Sequence, residues 1–535
     1  MGKNVLVVGG GIAGLVTAFE LSESESVQVT LLEAASECGG KMRGHFDRRA
    51  GRFVEHSIRA LGSTYFSFFD ILDRANLLDR LSPVDAYLFY ERESGRHVAL
   101  DRREPLDVHA VADLVKTFGL SRRDMLHLAE RILHHVNASS EEREALSRLE
   151  AGEAIGIESF DAPTRQFIVN WFGILTGARM HSKAVDIMDS FLLMFLPMSE
   201  SPTLPPGPHS KSYCFDRPTS EVVDALVETL RARGVEIVTG CLQTGLAAVD
   251  DGTLRVRTAD GALEDRSFDA AVMAVPHEVM WKQGFIAAPE PFSDEWSFGS
   301  QFPLHSLPDV LAPFAGKSYN LCFDAPWNIV FQIQHNGSFW SDVTFPSRYP
   351  WNLSATCSTP HGDGSLFGKP FGRCTPEEAM HEVLHQLGIA DEAARDELVA
   401  RGTIDPIYLD FTADWQRHAD TETVEFGALH EDGRRWVDKA QIYVRSAEDP
   451  DIAPASATPG VFLAGEVVTV PGRWKIPTME QASTSGKQAA QLVFDHLRIP
   501  VRVSLEAAKV ERKALAGVAE LFLKGVNALD DAVHR

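Results

Sequence analysis

The residues with the clearest chemical purpose are three glycines. Gly9, Gly11 and Gly14 stand at the spacing G-x-G-x-x-G, directly after the apolar run at residues 5–8. Ile12, Leu15, Val16 and Phe19 then recur at i, i+3, i+4 and i+7, one face of a helix. A second apolar run at residues 27–32 ends in Glu33, nineteen residues after Gly14. Strand, glycine turn, helix, strand and acid in that order form a dinucleotide-binding pattern. Gly9 permits the tight turn, Gly11 lets the backbone approach a pyrophosphate, and Gly14 lets helix and strand pack closely. The amides of Ile12 and Ala13 open the helix, whose positive end suits phosphate charge. Glu33 can accept hydrogen bonds from the ribose hydroxyls, and its charge repels a 2′-phosphate. This pattern alone does not separate FAD from NAD.

The following segment narrows the choice. Residues 33–44 read EAASECGGKMRG, and Glu55-His56-Ser57-Ile58-Arg59 comes soon after. Near the other end, residues 461–464 are apolar and lead into Gly465-Glu466, followed by Thr478-Met479-Glu480-Gln481-Ala482. Together these segments resemble the flavin amine oxidase and phytoene desaturase superfamily, in spacing closest to its squalene- and carotenoid-type desaturase branch. The resemblance implies bound FAD. It places Gly39, Gly40 and Lys41 at the pyrophosphate, Gly465 and Glu466 at the ribityl chain, and Thr478 and Met479 at a helix start facing the flavin pyrimidine. That helix start would stabilise negative charge on reduced flavin. The chain departs from the family pattern at five positions: Lys41 for an arginine, Gly44 for a serine or threonine, Ser57 for a glycine, Arg59 for a histidine, and Gln481 for a glycine. No cysteine follows Cys374, so FAD is expected to be noncovalent. Trp474 and Lys475 fall in the loop that the resemblance sets beside the isoalloxazine, where the tryptophan could wall the pocket and the lysine stabilise anionic flavin. The alternative is an ordinary loop with a buried Trp. Arg59 faces flavin or substrate, or else lies on the surface.

The elements that must hold these residues are scattered along the chain. Pro218-Thr219-Ser220 opens a helix over 221–233, and 234–238 reads as a strand. Leu242 lies where the family sets an aliphatic residue against the adenine end, with core packing as its alternative. Residues 269–276 resemble the family's returning strand. The expected fold class is α/β, a discontinuous Rossmann-like FAD-binding domain with an inserted mixed α+β substrate domain. The FAD domain takes 1–85, 205–285 and 450–500. The substrate domain takes 86–204, mostly helical, and 286–449, which mixes strands with helices such as 376–387. Residues 201–208 are a proline-rich linker. A C-terminal helix over 504–533, within the segment 501–535, carries an apolar stripe of Leu515, Val518, Leu521, Phe522 and Leu529 and is expected to dock on the body, on a partner subunit or on a membrane surface.

Bulk composition sets limits on partners. The 535 residues carry a formal net charge of -24, which disfavours nucleic acid and anionic membranes. The same charge repels an anionic substrate unless basic groups line its path. Six cysteines without CxxC pairs read as reduced thiols of a cytoplasmic protein. No run is long enough to span a membrane, which leaves peripheral contact open. No metal-ligand set stands out; His127, Glu130 and His134 share a helical face and read as solvated. The apolar run 191–196, with Tyr65, Phe66, Phe68 and Phe69, is core or the lining of a lipophilic pocket.

These readings lead to an FAD-dependent oxidoreductase acting on a lipophilic, isoprenoid- or polyene-like small molecule. The rivals are an amine oxidase, a redox-neutral flavin isomerase or cyclase, and a non-catalytic FAD protein. Glu33 gives a first test. A competition assay should show FAD retained against NADP, and tight NADP binding displaced by FAD would overturn the assignment of that carboxylate.

Overall fold

A computed structural model describes residues 2–48, 51–102, 108–176, 179–195, 199–204, 210–245, 252–286, 297–341, 343–405, 409–413, 424–426, 429–438 and 444–509. The first apolar runs form the strands β1 (Lys3–Val8) and β2 (Val27–Leu32), with helix α1 (Ile12–Leu21) between them. Helices α2 (Phe66–Arg74), α3 (Ala184–Phe195) and α4 (Thr219–Ala232) follow. Strands β3 (Glu236–Val238), β4 (Ala270–Met273) and β5 (Val461–Leu463) complete a five-stranded sheet in the order β3-β2-β1-β4-β5, parallel throughout. Helix α5 (Met479–His496) closes it.

Parallel strands covered on both faces require apolar side chains on both. Val5, Val7, Val29 and Leu31 pack with Leu15 of α1 and Val493 of α5. Leu6, Val8, Leu32 and Met273 pack on the other side with Leu254 and Val256 of a small antiparallel sheet. Helices α1 and α5 cross almost backbone to backbone. A Cβ on Gly486 would lie 2.5 Å from the Ala13 carbonyl oxygen, and Thr17 Oγ1 donates to the Gly486 carbonyl at 3.2 Å.

The inserted part is built on a seven-stranded mixed sheet. Its order is Thr403–Ile404, Phe298–Leu304, Trp351–Cys357, Ile329–His335, Ser318–Cys322, Ala86–Tyr90 and His97–Asp101. Alternation divides its two faces. Phe298, Phe302, Phe331, Ile333 and Leu353 enter a separate core with Val383 and Leu384 of the helix Pro376–Gln386. Tyr87, Phe89, Tyr319 and Leu321 point the other way and share one core with Tyr65 and Trp474 of the nucleotide-binding half. The helices Val108–Phe118, Arg122–Asn137, Ala162–Thr176 and α3 stand over this second face.

One expectation is refined and another needs correction. Residues 86–204 are mostly helical, as expected, but open with two strands, Ala86–Tyr90 and His97–Asp101, that join the mixed sheet. The run AYLFY is too short for its period to decide between helix and strand, and pairing with Ser318–Cys322 decides it. The C-terminal helix does not begin at Ser504. Residues 504–509 carry no helix, and Ser199 and Lys509 exchange two hydrogen bonds instead, at 2.9 and 2.7 Å. The rest of that segment lies outside the described residues. Among the described residues no helix is long and apolar enough to cross a membrane.

The glycine turn yields a discriminating test. A Cβ on Gly14 would sit 1.9 Å from the Gly9 carbonyl oxygen, whereas a Cβ on Gly11 would meet nothing within 4 Å. Gly14→Ala should cost about 3 kcal/mol or more of stability, and Gly11→Ala should stay within about 1 kcal/mol of the parent. Denaturant unfolding of the FAD-free proteins measures both, and equal losses would contradict this turn geometry.

Candidate functional site

The three glycine-bearing segments converge at the carboxyl ends of β1, β2 and β5. Gly9 turns the chain at φ +103°, a region closed to most side chains. Gly11 is the N-cap of α1, and no side chain caps that helix or places an acid in its first turn. The amides that open α1 beside Gly11 are thus left to an incoming anion, and the open space at Gly11 fits a pyrophosphate. Glu33 folds back over the turn. Its Oε2 accepts from Gly10 N at 2.6 Å and its Oε1 from Ala35 N at 2.8 Å. Burial pushes this carboxyl up, against the pull of those amides. The chain entering Leu242 runs beside it, with Cys241 N donating to the Glu33 carbonyl and Gly240 N to that of Ala35, both at 2.8 Å. Leu242 itself lies on a strand paired with Arg257.

The Gly39-Gly40-Lys41 turn is pressed against this site. A Cβ on Gly40 would lie 3.1 Å from the Gly11 Cα. Arg59 donates through Nη2 to the Lys41 carbonyl, which fixes the turn from behind. Its Nη1 lies 3.8 Å from Glu55 Oε2. Lys41 Nζ meets Glu466 Oε1 at 2.6 Å, so the first and last segments are joined by an ion pair. Burial would raise the Glu466 carboxyl, but Lys41 and His277 outweigh it and hold it below the usual range. Two departures from the family pattern find their reason here. A Cβ on Gly44 would collide with the Glu55 side chain at 2.9 Å, and Ser220 Oγ, accepting from Gly44 N at 2.7 Å, supplies a hydroxyl from α4 instead. Gln481 reaches back with Nε2 to the carbonyls of Gly465 and Val468, at 2.9 and 3.0 Å, and clamps the turn after β5.

Thr478 caps α5 by accepting from Gln481 N at 3.1 Å. Met479 is half-buried at the first turn. Glu480, one residue on, leaves the cofactor side altogether. Its two oxygens accept from Ser67 N and Phe68 N at 2.9 Å each, so it caps α2 from outside the helix. The sequence reading gave Glu480 no such role, and it gave Glu55 none beyond its place in the motif. Glu55 is fully buried and accepts from Thr219 N and Oγ1 at 2.5 and 2.6 Å. Burial pushes its carboxyl up to about 7, against Arg59 and Thr219. Neither role has a periodicity that sequence could reveal, because each depends on a partner more than 160 residues away.

The loop before α5 is fixed by three side chains in succession. Arg473 pairs with Asp189 of α3. Trp474 stands edge-on to Tyr65, ring centroids 5.1 Å apart, and donates to Thr64 Oγ1 at 3.2 Å. Lys475 is half-buried, close enough to Asp186 and Asp451 to favour their charged forms. Asp189 also takes His135 Nε2 at 2.8 Å and Arg143 Nη2 at 2.5 Å. Burial opposes its ionisation, yet these partners bring its pKa down to about 2.

Comparison with known proteins agrees with this fold. The family model described as flavin containing amine oxidoreductase matches residues 12–300. Among solved structures the chain is similar to cyclohexylamine oxidase from Brevibacterium oxydans, at 12% identity over 93% of this chain and 100% of that one, TM-score 0.58. It is similar to putrescine oxidase bound to putrescine, at 12% identity over 92% and 99%, TM-score 0.57. An oxidoreductase from Methanosarcina mazei is likewise similar, at 12% identity over 91% and 99%, TM-score 0.53. At such identities the likeness is one of fold. No curated protein matches the sequence.

Glu55 makes stability depend on pH in a defined direction. Its carboxyl titrates higher folded than unfolded, so folding takes up a proton between the two values. The stabilisation is therefore complete below about pH 4.5 and is lost as pH rises towards about 7. The loss can reach about 3 kcal/mol, at 1.36 kcal/mol per pKa unit. Glu55→Gln should flatten that part of the profile in denaturant unfolding from pH 4 to 8. Parallel profiles for the two proteins would refute the shift.

Proposed function

The chain belongs to the family of flavin containing amine oxidoreductases, and on that premise we propose that it dehydrogenates a lipophilic substrate, isoprenoid- or polyene-like, by hydride transfer to FAD. The flavin supplies the redox chemistry, and the protein supplies binding, orientation and polarity. One observation carries the substrate reading. The face of the mixed sheet that looks towards the nucleotide-binding half is walled largely by aromatic rings. Phe191, Phe195 and Trp171 pack within 5.2 Å of one another, and Tyr87 and Tyr319 within 5.7 Å. Large rings at one face suit an extended apolar body.

In this reading Gly9, Gly11, Ile12, Ala13, Gly14, Glu33, Gly39, Gly40, Lys41, Leu242, Gly465, Glu466, Thr478 and Met479 hold the cofactor. Trp474 positions the substrate against it. Lys475 lends positive charge to the same loop, and Arg59 braces the pyrophosphate turn. The proposed location is cytoplasmic.

Anaerobic single-turnover reduction with polyene and amine candidates tests the proposal. A polyene should bleach the flavin, and bleaching by amines alone would replace this reading with amine oxidation. Trp474→Ala should keep FAD bound yet slow reduction by about 100-fold, the scale of a misplacement of about 1 Å. An unchanged rate would set this loop apart from the chemistry.

A further inference from the structure

We propose that Ser297, His56 and Asp405 form a nucleophilic relay, through which the protein hydrolyses uncharged carboxylic esters without using its flavin. His56 Nδ1 lies 2.6 Å from Asp405 Oδ2, and His56 Nε2 lies 3.1 Å from Ser297 Oγ. The imidazole thus carries an acid on one nitrogen and a hydroxyl on the other, both within hydrogen-bond reach. Chain order here is His, Ser, Asp, but such a set is recognised by geometry and roles rather than by order.

The partners decide where the proton sits. An ionised carboxylate can only accept, so a neutral imidazole carries its hydrogen on Nδ1 and turns the Nε2 lone pair to the serine hydroxyl. Exposure is graded in the same direction. Asp405 is 1% exposed and His56 7%, whereas Ser297 is only half-buried. The acid–imidazole bond is therefore kept from water, and the nucleophile is the end that a substrate can reach.

One strand of the mixed sheet brings the three together. Ser297 directly precedes Phe298–Leu304. Asp405 follows Thr403–Ile404, which pairs with that strand, and its N–H donates to the Gly299 carbonyl at 2.9 Å. The His56 carbonyl lies on the same glycine, where a Cβ would come within 1.9 Å of it, and accepts from Thr356 Oγ1 at 3.2 Å. Main-chain contact on one side and a carboxylate on the other hold the ring in place, as a general base requires. The flavin site leaves His56 without a task. Its neighbours Arg59 and Glu55 hold the Lys41 carbonyl and Thr219.

The reaction needs no further reagent than water. Ser297 Oγ attacks the ester carbonyl carbon as its proton passes to His56 Nε2. The bond from that carbon to the alcohol oxygen breaks, and the departing alcohol takes the proton. Water then gives a proton to the same nitrogen and attacks the acyl-serine, which releases the carboxylic acid as the serine oxygen recovers its hydrogen. The formal charge of -24 disfavours an anionic acyl group, so the ester is uncharged.

Hydrolysis of p-nitrophenyl acetate and labelling by a fluorophosphonate, mapped by peptide mass, test the relay on FAD-loaded protein. The parent should hydrolyse the ester and carry the label on Ser297. Ser297→Ala should lose about 100-fold or more in rate, the scale of a nucleophile with its base. Its flavin spectrum and thermal midpoint should stay those of the parent, because only a half-buried hydroxyl is removed. Asp405→Asn should also be slow, since the amide can donate to Nδ1 and reverse the tautomer. An unlabelled Ser297, or equal hydrolysis by parent and Ser297→Ala, would overturn the proposal. Neither readout involves flavin reduction, so failure of the dehydrogenation reading and failure of the relay are told apart.

Discussion

Close approach of bare backbone governs the nucleotide-binding half. At three places two chain segments meet with no room for a Cβ: Gly14 on the Gly9 carbonyl, Gly9 on that of Ala274, and Gly486 on that of Ala13. These contacts tie β1 to β4 and α1 to α5, and so bring the first and last parts of the chain together. Everything at the cofactor site follows from that proximity. The Lys41–Glu466 pair, the hold of Gln481 on the turn after β5, and the capping of α2 by Glu480 all need α5 seated against α1. Side chains tune the site, but absent side chains bring it together.

A second layer of organisation is electrostatic. Asp186 and Asp189 sit on one turn of α3 and collect Arg445, Arg143, Arg473 and His135 from separate segments. Burial of the two acids is tolerable because each is surrounded by donors. The loop carrying Trp474 is thereby attached to the helical part at one end and to Thr64 and Tyr65 at its centre. The loop before α5 is thus tied both to α3 and to the segment before α2.

Much of this was legible beforehand where local pattern and local structure coincide. The glycine turn, β1, α1, β2 and Glu33 are contiguous, and their spacing alone specifies the turn, the helix and the two strands. The discontinuous parallel sheet followed from recognising that residues 461–466 and 478–490 complete it. What escaped has a common physical cause. Ala86–Tyr90 is apolar throughout, so its state was decided by a strand more than 200 residues away. Ser220 was readable as a helix opener but not as the hydroxyl that serves Gly44. Gln481 looked like a defect until its amide was seen holding two carbonyls. The meeting of His56 with Ser297 and Asp405 gave no signal at all, since each partner lies more than 200 residues from the histidine.

The order in which the sheet is assembled has a temporal consequence. Strands β1 and β2 leave the ribosome first, yet β5 and α5 come some 430 residues after β2. At about 5–20 residues per second, that gap is roughly 20–90 s of synthesis. Throughout it the phosphate turn exists without Glu466 and Thr478, and the inner faces of β1 and α1 lack their cover. The nascent chain thus carries an unfinished apolar sheet for most of its synthesis. The meeting of the first and last segments is then a late event that closes the fold rather than one that seeds it.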